Sequence, residues 1–149
     1  MRTTKLTITL AIIVLGFCGC KTSHKAAESK NSPLTGTQWQ LRSISSQPVA
    51  EDSFTSLPYI IFNDDGTFVG NLGCNSFFGT YYQKKQKMTV DFTGATKKLC
   101  SEMDSERAFL KGLKAGITTF NITDRTLTLY AGKEEVLVFK DEGKFLEEE

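Results

Sequence analysis

The chain has 149 residues, of which 40% are hydrophobic, 11% aromatic and 23% charged, with a formal net charge of +1. This length suits one domain with its own core, and the composition is that of a folded protein rather than a disordered one. A near-neutral chain without a basic stripe lacks the electrostatic footprint of a nucleic-acid binder.

The N-terminus has a separate character. Arg2 and Lys5 make a positive start, and Leu6 to Phe17 follow as an apolar run too short to span a bilayer comfortably. The run ends in Phe17-Cys18-Gly19-Cys20. A small residue directly before Cys20 has the pattern of a bacterial lipobox, with Phe17 standing where leucine is usual. Cys18 follows the bulky Phe17 and does not fit. A lipoprotein signal peptide is therefore expected over 1–19, with acyl chains on the sulfur and new amino group of Cys20. Several chains on one residue anchor stably, whereas one is marginal. An uncleaved signal anchor is the alternative. Cleavage removes Arg2 and Lys5 and no acid, leaving 16 of the 18 basic residues against 17 acidic ones, a net charge of −1. Lys21 is not an inner-membrane retention aspartate, so the outer membrane, facing the periplasm, is the expected location.

Residues 20–33 read as the lipidated cysteine and a flexible tether, polar, aperiodic and closed by Pro33. His24, the only histidine, lies within it. That removes His-based catalytic triads and most metal sites. The domain is expected over 34–140. Trp39 and Leu41 alternate with Gln38, Gln40 and Arg42, as in a half-buried strand. Residues 45–58 read as a loop punctuated by Pro48 and Pro58. Two β-rich runs, 59–62 and 67–70, flank Asn63-Asp64-Asp65-Gly66 and predict a hairpin. A calcium loop is a poor fit there, because its spaced acidic ligands are missing.

A second hairpin is expected from 77–82 and 87–92, with the basic tip Gln83 to Gln86. The one helix follows, with Asp104 or Ser105 as N-cap, Glu106 in the first turn and Gly116 as its stop. Phe109, Leu110, Leu113 and Ile117 fall on one side at helical spacing. Three strands then close the domain, at 118–122, 126–130 and 136–139, before an acidic tail over 141–149. The fold class is α+β: a curved, mostly antiparallel, open-barrel-like sheet with one amphipathic helix packed on it.

Between the two hairpins lies Gly70-Asn71-Leu72-Gly73-Cys74-Asn75-Ser76-Phe77-Phe78-Gly79. Glycine and asparagine tolerate backbone conformations that other residues avoid, so the stretch is either a tight turn or a backbone-built binding loop. Together with Leu34 to Trp39, Thr96 to Cys100, Glu106, Phe109-Leu110, Leu113, Leu127 to Leu129 and Leu137 to Phe139, it resembles the META-domain family, which includes HslJ-type heat-inducible envelope lipoproteins. The resemblance covers Leu34 to Lys140. It implies one helix against a curved antiparallel sheet, no established catalytic activity, and associations with envelope stress tolerance, small-molecule resistance or secretion.

Cys74 and Cys100 form an even pair in an oxidising compartment, 26 positions apart and outside any C-x-x-C arrangement. They are expected as a disulfide, with two buried free thiols as the alternative. No histidine can activate either as a nucleophile. Asn75 is expected to cap its own backbone, and Gly70, Gly73, Phe77 and Gly79 to serve structure rather than hold a phosphate, since no lysine of the phosphate-loop type follows. Trp39, Phe62, Phe68, Phe77 and Phe109 are the expected core. No catalytic residue, metal or cofactor is expected.

The chain thus reads as a non-catalytic envelope lipoprotein, a monomer attached to the membrane through the lipid on Cys20. Its domain would bind an envelope protein partner or act in stress tolerance, and no nucleic acid is expected. A second reading is a small-molecule binder using the concave face of the sheet, lined by aromatics such as Phe77, Tyr81 or Phe120. A third is a hydrolase built on Asp64, Asp65, Asp91 or Glu106.

Overall fold

Alternation of apolar and polar residues decides most of the chain's path. The computed structural model describes residues 31–101 and 103–142. The expected signal peptide, Cys20, the tether up to Lys30 and the tail from Gly143 lie outside the described residues. Gln38–Ile44 (β1) turns Trp39 and Leu41 inward, as period-two alternation requires. Gln47–Pro48 (β2) folds back on the end of β1, with Ser43 opposite Pro48. Tyr59–Phe62 (β3) and Thr67–Asn71 (β4) form the first hairpin, whose turn is held by Asp65 accepting from the Thr67 N–H at 2.9 Å. Ser76–Lys84 (β5) and Lys87–Ala95 (β6) make the second, longer than its alternation suggested. After the helix Met103–Leu113 (α1) come Thr119–Thr123 (β7), Thr126–Ala131 (β8) and Glu134–Asp141 (β9).

Several local expectations change. Residues 45–58 are not loop throughout: they hold β2 and a 3₁₀ turn at Glu51–Ser53, and Phe54 enters the core. The helix starts at Met103, so Asp104 and Ser105 lie inside its first turn rather than capping it. Acids are favourable throughout that turn, so their presence marks its neighbourhood and not its first residue. Asn31–Pro33, read as the end of the tether, are tied to the domain: the Ser32 N–H donates to the Asp124 carbonyl at 3.1 Å and Thr37 Oγ1 to the Pro33 carbonyl at 2.6 Å. Asp141, read as the start of the tail, is the last residue of β9.

All neighbouring strands are antiparallel, in the order β1-β3-β4-β5-β6-β7-β8-β9, and β9 pairs back onto β1. The fold is α+β, with the sheet curled into a ring around one core and a single helix among the described residues. A chain of rings runs through that core: Phe62, Phe68, Phe77, Phe109 and Phe139 follow one another at centroid distances of 5.7 to 6.1 Å. Trp39 joins them, its indole N–H donating to the Leu34 carbonyl at 2.9 Å. Gly112, a weak helix former, is where α1 crosses β9. A Cβ there would come within 2.8 Å of a Leu137 methyl carbon.

The ring has one weak seam. β6 and β7 share the single register pair Lys87↔Thr119, and beyond Met88 the strand β6 continues to Ala95 with a partner strand only on its β5 side. Phe109 and Leu113 of α1 pack into the core, and the neighbouring face of the helix looks across at this free stretch of β6.

Gly79 shows how tightly β5 is pressed. A Cβ there would strike both the Asp91 carbonyl oxygen and the Phe68 ring, whereas one at Gly94 would meet the Phe78 ring at an ordinary 3.4 Å. Gly79→Ala is expected to lower unfolding free energy by about 1–3 kcal/mol, the usual range for an overpacked core. Gly94→Ala should change it by less than about 0.5 kcal/mol. Denaturant midpoints measure both, and equal effects of the two would contradict the packing described.

Candidate functional site

The corner between β4 and β5 is shaped by backbone hydrogen bonds. Asn71 Oδ1 accepts from the Gly73 N–H at 2.7 Å, and the Leu72 N–H donates to the Asn75 carbonyl at 2.7 Å. Gly73 has φ of 120°, and Phe54 packs where a Cβ would stand. This turn aims the N–H groups of Cys74 and Asn75 at Glu106. Glu106 Oε1 accepts from both, at 2.8 and 2.7 Å, and its Oε2 accepts from Asn75 Nδ2 at 2.8 Å. The glutamate is 4% exposed. A buried carboxylate is tolerable only when its lone pairs are occupied, and here three donors occupy them.

Asn75 therefore does not cap its own backbone as its position suggested; Asn71 makes that turn instead. The Asn75 side chain reaches outward because its own corner N–H groups are already committed to Glu106. Its Oδ1 accepts from the Thr96 hydroxyl at 2.8 Å and the Lys98 N–H at 2.7 Å, while Nδ2 also faces the Lys98 carbonyl at 3.2 Å. Cys74 and Cys100 are joined by a disulfide, with Cα atoms 6.5 Å apart. Closing a loop of this length stabilises by about 3–4 kcal/mol on the chain-entropy account. Carboxylate, amide and disulfide thus tie three segments together: the corner, residues 96–101 and the first turn of α1.

Of the other motif positions, Gly70 and Gly79 serve close packing rather than unusual backbone angles. A Cβ at Gly70 would collide with the Tyr59 carbonyl and lie 2.6 Å from the Phe77 ring. Cys74, Cys100 and Glu106 offer ligand atoms within 4.8 Å of one another. Sulfurs joined to each other are not the thiolates that bind metals, and Glu106 is already engaged.

The concave-face reading fails on burial. Phe77 is 2% and Phe120 9% exposed, and Phe109 of α1 meets Phe77 edge-on at 5.7 Å. The helix and aromatic core fill the face that a ligand would need. Tyr81 is half-buried, its hydroxyl donating to the Asn63 carbonyl at 2.7 Å. Burial, then the charges of Asp64 and Asp65, push its phenol above the usual range. The four candidate carboxylates do not converge either. Asp64 and Asp65 belong to the β3–β4 turn, where the Thr67 hydroxyl and then its N–H hold Asp65 below the usual carboxylate range. Asp91 lies on the solvent face of β6.

A cavity exists, but elsewhere. Where β6 outruns β7, a groove of about 550 Å³ lies between β6 and α1. Leu72, Phe92, Ala95, Met103 and Leu110 give it apolar walls, and the buried Glu106 and Asn75 also line it. Met103, Arg107 and Leu110 border it from one face of α1, spaced at four and three residues, and Lys114, the first residue after the helix, continues that line. Leu110, expected in the core stripe, is only half-buried and belongs to this second face.

The META domain family model matches residues 32–144. The chain belongs to the META domain family. Among solved structures, this META domain is similar to a protein determined by NMR, with 24% identity over 70% of this chain and 87% of that one, TM-score 0.53. A second NMR structure, of a protein from Burkholderia xenovorans, is 20% identical over 74% and 85% of the two chains, TM-score 0.56. At these identities the likeness concerns the fold. Comparison with curated proteins finds no match.

Glu106 in this META domain was legible only as a first-turn acid. The missed signal is its register: Glu106, Phe109 and Leu113 share one helix face, so a carboxylate stands in line with the core stripe. Glu106→Gln tests the account well because it preserves size. Its amide nitrogen would face Asn75 Nδ2, and turning Asn75 over would forfeit the bonds to Thr96 and Lys98. The variant should lose about 2–3 kcal/mol, read as a lower denaturant midpoint at unchanged slope. A loss under about 0.5 kcal/mol would show that the carboxylate is dispensable.

Proposed function

We propose that this chain is a non-catalytic envelope lipoprotein, held to the outer membrane through Cys20, whose META domain binds a small apolar ligand in the groove between α1 and β6. The single observation carrying the binding role is that groove. Its volume of about 550 Å³ falls within the roughly 300–1,000 Å³ typical of ligand sites. Its walls are apolar and bounded by a few polar groups, the usual composition of such sites. The anchoring reading rests on the apolar run and the Gly19-Cys20 pair. The non-catalytic reading is supported by the dispersal of the candidate acids and by the engagement of both Glu106 oxygens with N–H donors. Stress tolerance through ligand capture fits what the family resemblance suggests.

One preparation tests both halves. The wild-type chain should carry acyl chains on Cys20 and sediment with membranes, whereas a form beginning at Lys21, without the apolar run and Cys20, should remain in the soluble fraction. In that soluble form, the uncharged fluorophore N-phenyl-1-naphthylamine should bind saturably at one site. Leu110→Arg places a charge in the groove at a half-buried position and should weaken binding at least about tenfold, a change of about 1.4 kcal/mol. Absence of saturable binding, or equal binding by the Leu110→Arg variant, would remove the groove from the account.

A further inference from the structure

We infer that the groove takes a single-chain amphiphile with an anionic head group. This rests on the groove being a ligand site, and adds to it the chemical class of the ligand. The apolar walls supply a place for one tail. Four cations border the same space: Lys97 and Lys98 from the segment before Cys100, Arg107 from α1, and Lys114 from the turn directly after it. Lys114 already leans over the groove, its Nζ 4.3 Å from the Phe92 ring centroid. Against these, the acids are accounted for. Arg107 is paired with Asp104 at 2.7 Å, which leaves the three lysines, and Glu106, the one acid lining the groove, turns both oxygens to Cys74 and Asn75. The border therefore has a surplus of positive charge beside an apolar floor, and an anionic head on an apolar tail is its complement.

Leu99 adds an independent observation. It borders the groove and is 98% exposed. The segment that carries it is held in place on both sides, by the Lys98 backbone bonds to Asn75 and by the disulfide at Cys100. A leucine kept in water by a pinned backbone, with a lysine pair directly before it, has its apolar surface available to an occupant. A tail in the groove would cover it while Lys97 and Lys98 meet the head. The groove, the cations and Leu99 thus agree on one kind of molecule.

The test uses the full lipidated chain in neutral phosphatidylcholine vesicles, with dodecyl compounds carrying a diazirine on the tail. Four heads are compared at equal concentration: carboxylate, phosphate, maltoside and trimethylammonium. The carboxylate and phosphate forms should label the segments holding Leu99, Met103 and Leu110 at least fivefold more than the other two. A preference between carboxylate and phosphate identifies which anionic source the groove favours, and either preference supports the inference. The Lys98→Glu, Lys114→Glu double variant should lose that advantage while maltoside labelling stays unchanged. Equal labelling by all four heads, or preference for the cation, would overturn the anionic head group and leave the groove as an apolar site. No labelling of these segments by any of the four would overturn both this inference and the ligand site beneath it.

Discussion

Glu106 is the constraint on which the rest of the architecture depends. Burying a carboxylate is unfavourable by several kcal/mol unless its lone pairs are filled. Charge-assisted bonds of about 1.5–3 kcal/mol each offset that penalty here, and the three donors come from a corner 31 and 32 residues earlier in the chain. The glutamate can be buried only if the Gly73 turn presents its two N–H groups, and those N–H groups are satisfied only if α1 docks. Each feature requires the other, so helix position and corner geometry form one cooperative unit. Asn75 extends that unit to Thr96 and Lys98, and the disulfide closes it covalently.

From this follows the second face of the helix. With Phe109 and Leu113 committed to the core and Glu106 fixed to the corner, Met103, Leu110 and Lys114 must face the free stretch of β6. The groove results from two simple mismatches: β6 is longer than its contact with β7, and one helix cannot fill the gap on both sides. The segment 96–101 runs along its edge because Asn75 and Cys74 hold it there. A site of this kind is positioned by backbone and covalent constraints rather than by its own lining residues, which are then free to suit a ligand.

Much of this architecture is legible in local chemistry along the chain. Alternation marks β1, the two hairpins and the closing meander, and helical spacing marks α1 with its core stripe. The glycine-rich corner is recognisable as structural. Partners distant in sequence are not legible in this way. Closure of β9 onto β1 joins Leu41 to Phe139, and no periodicity encodes such a pairing. Phe54 is hidden in an aperiodic segment, its role set by the space above Gly73. Leu110 and Leu113 look alike as sequence, and only the truncated β6–β7 contact separates a groove residue from a core residue. Glu106 on the core face is the one polar signal that, taken as a burial anomaly, points to the corner.

The most direct test of this account is native-state hydrogen exchange at the amides of Cys74 and Asn75 in the full chain. If Glu106 holds them as described, they exchange only through global unfolding, as slowly as core amides such as that of Leu129, despite lying in a turn. Glu106→Gln should accelerate these two amides by more than the loss of global stability accelerates that of Leu129. Exchange at the rate of an ordinary exposed loop, with Glu106 intact, would contradict the central claim.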